Sequence, residues 1–142
     1  MKIRKATIND IPELASLMTQ LGYPTSVEKM EIRFNNIESN PSYHTIVADI
    51  GGKVVGMAGL CTGMFYEYDG SYIRIVAFVV DSNYRRKGLG KKLIEAENWA
   101  RKQGASVIVL NSGNREERNN AHQFYLNLGF KDKSTGFVKS LL

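Results

Sequence analysis

Apolar residues recur at helical spacing in two early stretches of the chain. Ile11, Leu14, Leu17, Met18 and Leu21 share one helical face, behind helix-start residues at Thr7 to Asp10 and with Pro12 in the first turn. Gly22 stops that helix, and Tyr23-Pro24 makes a turn. Thr25-Ser26-Val27-Glu28 is a capping-box pattern; Val27, Met30, Phe34 and Ile37 then predict a second amphipathic helix, closed by Asn40-Pro41. The pattern changes after that. Thr45 to Ile50 and Lys53 to Leu60 read as strands joined by the hairpin signal Gly51-Gly52. Tyr72 to Val80 is an apolar run broken only by Arg74, which predicts a central strand covered on both faces. Leu89, Leu93, Ala96 and Ala100 predict a helix that runs to Gln103 and stops at Gly104.

Ser106 to Leu110 reads as another buried strand, and Ser112 to Arg118 as a polar loop. Asn119-Asn120 can cap a helix whose apolar positions are Ala121, Phe124, Tyr125 and Leu128, with Gly129 as its stop. Lys2 to Lys5 reads as a first strand, Phe130 to Lys133 and Phe137 to Leu141 as the last two. The order β-α-α-β-β-β-α-β-α-β-β is that of an α/β protein with a mixed sheet. The strand-helix-strand unit over Tyr72 to Leu110 requires its two strands to be parallel.

Composition narrows the class. The 142 residues fit one domain, residues 1–142, with a single core. One cysteine excludes an internal disulfide and favours a reducing, cytoplasmic home. No apolar run is long enough to span a membrane, and no signal-peptide core follows Met1. The formal charge of +5 suits an anionic ligand.

The candidate chemistry lies at the end of the central strand. Val79 and Val80 run into a polar turn, then into Arg85-Arg86-Lys87-Gly88-Leu89-Gly90-Lys91-Lys92 at the start of the next helix. Glycines let a ligand approach the backbone, and a helix start favours anions. The stretch reads as a diphosphate cradle; the plain alternative is a solvated charge run. A P-loop fits worse, since it needs glycine at Arg85 and Ser or Thr at Lys92. The dinucleotide fingerprint lacks its third glycine.

The pattern R-x-x-G-x-G at Arg85 to Gly90 resembles the acyl-CoA-binding loop of the GNAT N-acetyltransferase superfamily. A second stretch, Ala121-His122-Gln123-Phe124-Tyr125-Leu126-Asn127-Leu128-Gly129-Phe130, resembles that family's A-x-x-x-Y-x-x-x-G-F motif. Arg118 to Tyr125 is similar to its R-x-x-A-H-x-F-Y variant, and the element order matches along the whole chain. The resemblance implies a GNAT-like fold: a central mixed sheet with a splayed parallel strand pair and helices on both faces. It implies acetyl-CoA as acetyl donor, in a cleft where the strand ending at Val80 splays from the one ending at Asn111. The pantetheine would pair with Phe78, Val79 and Val80, and the pyrophosphate would rest on Arg85 and on the amides of Arg86, Lys87, Gly88, Leu89, Gly90 and Lys91. Asn111, Arg118 and Asn120 would complete the cofactor site. A primary amine, of a small molecule or of a protein, would attack the thioester directly. A strand N–H from Val79 or Val80 would hold the oxyanion, and Tyr125 would protonate the departing thiolate. The plain alternative for Tyr125 is a core tyrosine.

The chain departs from that family's pattern at the base. Arg74 and Asn111 stand where some members carry a glutamate, and neither accepts a proton from an ammonium. Glu67, Asp69, Tyr72, His122 and a water chain are the candidates that remain. Met57, Met64, Phe65, Tyr66 and Tyr68 are expected beside the acceptor pocket, with Tyr23 and Pro24 on the same side. Cys61 reads as a small buried hydrophobe, Trp99 as core or interface, and no metal site is expected from His44 and His122. The alternative function is a non-catalytic acyl-CoA-binding or regulatory protein of the same fold. A nucleic-acid partner lacks its motifs, and no membrane partner is expected. A homodimer is that family's common assembly, though no stretch demands one.

Overall fold

The computed structural model describes residues 1–85, 88–111 and 119–142, with the backbone alone at 119–121. Five strands form one sheet: β1 (Lys2–Lys5), β2 (Tyr43–Ile50), β3 (Lys53–Met64), β4 (Ser71–Val80) and β5 (Ala105–Leu110), in that spatial order. The helices are α1 (Ile11–Leu21), α2 (Val27–Glu38), α3 (Leu89–Lys102) and α4 (Asn119–Asn127), with short 3-10 turns at Ile8–Asp10 and Ser82–Tyr84. Contacts divide the chain into two compact units, Met1–Val109 and Leu110–Leu142.

In the first unit β1 to β4 are antiparallel neighbours. Gly51 and Gly52 both take positive φ, 59° and 91°, as the tight β2–β3 turn requires. Ser106 Oγ donates to the Ser71 carbonyl at 3.4 Å, so β5 begins beside the beginning of β4. With α3 as the crossover the two strands run parallel, and the sheet is mixed. Its two faces are covered separately. Leu14 and Leu17 of α1 and Met30 and Phe34 of α2 pack with Val47, Val54, Met57 and Val79. Each such side chain adds about 2 kcal/mol of burial. Leu93, Ala96 and Ala100 of α3 are buried as well, and Leu89 and Lys92 of the same helix share a small cavity with Ala48, Val55 and Val80 of the opposite sheet face.

One guanidinium ties the first elements together. Arg4 on β1 holds Asp10 through two bonds, at 2.8 and 2.9 Å, and Asp49 on β2 at 3.1 Å. The Thr7 N–H also donates to Asp10, at 2.8 Å. Glu13 of α1 accepts from the Val54 N–H at the start of β3. The cap of α2 is Ser26, which accepts from the Lys29 N–H; the reciprocal partner that a capping box needs at Lys29 is absent.

In the second unit α4 ends at Asn127, and no strand follows it. The two terminal strands expected at Phe130 to Lys133 and Phe137 to Leu141 do not form. A strand exists only against a partner, and Phe137, Val138, Leu141 and Leu142 stand exposed.

Candidate active site

β4 is held at its end from both sides. The Asp81 N–H donates to the Val55 carbonyl at 2.8 Å. Gln20, in the last turn of α1, accepts from the Ser82 N–H at 2.9 Å and donates to the Asp81 carboxylate at 3.1 Å. Asp81 also accepts from the Asn83 N–H, and these bonds hold its carboxyl below the usual carboxylate range. The 3-10 turn is thereby fixed, and it delivers the chain to α3.

The register of β3 and β4 decides which backbone groups are open. Val55 bonds Asp81, and two residues on Met57 is paired with Val79. An antiparallel ladder alternates, so Val79 faces β3 while Phe78 and Val80 turn their N–H and C=O groups to the other edge. That edge belongs to β5 only in part. β5 has six residues against the ten of β4, and the two start together. Among the described residues, Phe78 to Val80 therefore run past the end of β5. Val76 is an extra residue between the Gly59–Ala77 and Leu60–Ile75 pairs, a bulge that bends β4 below this open stretch.

Beyond the turn, Gly88 caps α3 at φ 131°, and no side chain among the described residues caps the helix start. Its φ is what calls for glycine there; a Cβ would also meet the Met1 methyl carbon at 2.2 Å, the end of a flexible side chain that can move aside. The first intrahelical bond runs from the Lys92 N–H to the Gly88 carbonyl, at 3.0 Å, and leaves the N–H groups of Leu89, Gly90 and Lys91 at the helix start. Nothing lies within 4 Å of a Cβ built on Gly90. Arg85 and Lys91 are exposed beside this start. Arg86, Lys87, Arg118 and the side chain of Asn120 lie outside the described residues.

Sequence reasoning missed one residue here. Lys92 is 1 % exposed, on the face of α3 that meets the sheet. The signal was present: Lys92 stands three residues after Leu89 and four before Ala96, inside the apolar stripe.

The acceptor-side expectation is corrected. Met64, Tyr66 and Tyr68 are exposed in the β3–β4 hairpin, where Phe65 packs edge-on against Tyr68 and tilted against Tyr72. The helix end that leads to Tyr23 and Pro24 is fastened by Gln20 at the other end of β4. Ten strand residues, about 33 Å, separate the two groups, so they are not on the same side. Glu67 and Asp69 share the hairpin's remote position. Met57, by contrast, is buried in the core beneath β4.

Cys61 is only half-buried, its thiol 3.7 Å from the Thr62 carbonyl, because β3 continues past Leu60 as an outlying hairpin. Trp99 stacks flat on His44, centroids 4.6 Å apart, beside a groove of about 200 Å³. Burial pushes His44 below its ordinary value. Among the described residues no three His, Cys, Asp or Glu side chains gather as metal ligands, and no helix is long and apolar enough to cross a membrane.

The second unit holds Tyr125. It is buried, edge-on to Phe124 and Phe130, with ring centroids 5.6 and 5.8 Å away. The Phe130 N–H closes on the Tyr125 carbonyl at 3.1 Å past the turn at Gly129, which fixes the ring's helical position. His122 is half-buried one turn earlier and Asn111 is exposed.

Among the described residues a strand edge without a partner lies beside a helix start without a side-chain cap, and comparison with known proteins gives the family. The Acetyltransferase (GNAT) family pattern matches residues 9–130. The chain is 38 % identical over 130 residues to YhdJ, an N-acetyltransferase of Bacillus subtilis strain 168, covering 90 % of this chain and 87 % of that one. It is 30 % identical over 144 residues to the aminoalkylphosphonate N-acetyltransferase of Salmonella typhimurium strain LT2, covering 99 % and 91 %. A GNAT family acetyltransferase structure from Staphylococcus aureus USA300_TCH1516 superposes with a TM-score of 0.83 at 33 % identity, covering 99 % and 98 %. The chain belongs to the GNAT family and is an N-acetyltransferase.

Proposed function

We propose that this N-acetyltransferase takes its acetyl group from acetyl-CoA and passes it directly to a primary amine. The observation that carries this reading is the backbone edge at Phe78 and Val80, without a partner among the described residues, in the strand that precedes a helix whose N-cap, Gly88, supplies no side-chain cap. The pantetheine amides pair with that edge as an added strand. The diphosphate takes the N–H groups of Leu89, Gly90 and Lys91, with Arg85 beside it. The amine lone pair attacks the thioester carbonyl and forms the C–N bond. The Val80 N–H, turned to the open side, donates to the oxyanion; Val79 is committed to β3. As the C–S bond breaks, Tyr125 protonates the thiolate. Its place in the A-x-x-x-Y-x-x-x-G-F motif supports that role. Arg74 and Asn111 accept no proton, which leaves Tyr72, His122 or a water chain to take the ammonium's proton. The family match crosses from the first unit into the second, which supports one catalytic domain over residues 1–142. The Salmonella relative makes aminoalkylphosphonates the first acceptors to assay.

Calorimetric titration with acetyl-CoA tests the cradle. We expect saturable one-site binding that Gly90→Glu abolishes while the fold persists, because Gly90 has open space around it. Binding unchanged by that substitution would remove the cradle from α3. Tyr125→Phe is expected to lower turnover by about 10²-fold and leave acetyl-CoA affinity intact. Unchanged turnover would return Tyr125 to a packing role.

A further inference from the structure

α3 carries a lysine where its packing stripe takes apolar residues. The Lys92 Nζ lies 3.5 Å from the Ile46 carbonyl of β2, a bond at the long limit. Beside it is a cavity of about 10 Å³, the room of a single water. The sheet presents Ala48, Val55, Gly56 and Val80 to this space, none of which ionises. Besides Lys92, the titratable side chain among the residues that line it is Tyr84; Met1 also lines it, with its side-chain methyl beside Gly88. On α3 itself, Lys91 is exposed and Glu95 lines the groove beside Trp99. Among the described residues, no carboxylate lines the cavity.

Burial alone pushes this amine down to about 7. The positive field at the amino end of α3 acts in the same direction, since Lys92 sits in its first turns. Both costs change sign when an anion arrives. Lys92 is three residues into α3, about 4.5 Å along its axis from the helix start. An anion at that start cancels the helix field and supplies the missing countercharge through a poorly screened interior.

We propose that Lys92 is a concealed countercharge of the cofactor cradle: its buried amine takes up a proton from solvent when the diphosphate of CoA settles on the start of α3. No covalent bond changes; one amine becomes one ammonium, and the buffer supplies the proton. The inference rests on the cofactor reading above and adds to it a residue that never touches the ligand. Lys92 is a positioning residue for charge, and its mark is proton-linked affinity. The charged form binds better, so affinity is greatest below the free-protein value. It falls as pH rises from there to the higher value in the complex.

Dephospho-CoA is the suitable probe, because its diphosphate stays fully ionised near neutral pH. Calorimetric titration of the wild-type protein at about pH 7.5, in two buffers of different ionisation enthalpy, should give different heats that correspond to uptake of a fraction of a proton. The dissociation constant should rise at least about threefold between about pH 6.5 and about pH 8.5. Lys92→Met, or Lys92→Leu should the first not fold, should bind at one weaker, pH-independent affinity. Equal heats in the two buffers with a flat pH profile would overturn the inference and leave the cradle standing. So would a pH dependence that persists in the variant, which would assign the proton to another group. No binding at any pH would overturn the cofactor reading and this inference together.

Discussion

A charge held in an apolar layer costs stability whenever the pH keeps it charged. The Lys92 amine holds its proton to about 10.4 in an unfolded chain, and in the fold it titrates near 7. Between those values the unfolded chain binds more protons, so this residue's contribution to stability rises with pH across that window. Below it the ammonium is buried and the cost is complete. Lys92→Met should therefore stabilise the ligand-free protein by a few kcal/mol near pH 6.5 and by little near pH 10. Thermal melts at the two pH values check this. A variant less stable than the parent near pH 6.5 would mean that the Ile46 carbonyl alone suffices for the ammonium. The residue escaped sequence reading because lysine is rarely buried, and the stripe was read by residue type rather than by position. Tyr125 entered the sequence reading for the opposite reason: it stands at the tyrosine position of the A-x-x-x-Y-x-x-x-G-F pattern.

At the scale of elements, two glycines two residues apart do different work. Gly88 has a φ that side chains resist, and its missing Cβ makes room for Met1. Gly88→Ala should cost about 1–3 kcal/mol in denaturant unfolding. Gly90 lies within α3, with open space and no left-handed φ. Gly90→Ala should stabilise the helix by up to about 1 kcal/mol. A loss of stability there as large as that of Gly88→Ala would contradict the distinction. Most elements were legible because local signals bound them. Gly22 and Gly104 end α1 and α3, and Gly51-Gly52 turns β2 into β3. β3 ran four residues past Leu60, since Cys61 to Met64 find partners in Arg74 to Ser71, which a run of apolar residues cannot foretell. Gly63 permits that continuation, for the Tyr72 ring lies where its side chain would be. The terminal strands failed because sequence marks apolar alternation and not the partner that would bury it.

Over the whole molecule, the ion pairs of the first elements meet at one guanidinium. Arg4 joins β1, the Ile8–Asp10 turn and β2 in one ion-pair set. It holds the carboxyls of Asp10 and Asp49 below the ordinary carboxylate range, through hydrogen bonds first and charge second. A lowered acid stabilises the fold above its unfolded value and ceases to do so as pH falls through its folded one. Asp10→Asn should cost about 2 kcal/mol near neutral pH, and the cost should shrink as pH falls through the lowered folded value, where the parent loses the same interaction. A cost that does not shrink would assign the loss to packing. These pairings join residues up to 45 positions apart, and for that reason the sequence pattern did not disclose them. The same distance problem misplaced the hairpin aromatics beside Tyr23: each segment was legible, and their separation along β4 was not.

The short β5 has one more consequence. A strand margin with bare amides and carbonyls is a template for any passing extended peptide, including an unfolded copy of the same chain. A ligand that pairs along Phe78 to Val80 shields that template as well as reacting there. Protein starved of its ligand should clump more readily than protein kept saturated, because the ligand both covers this edge and stabilises the fold by binding it.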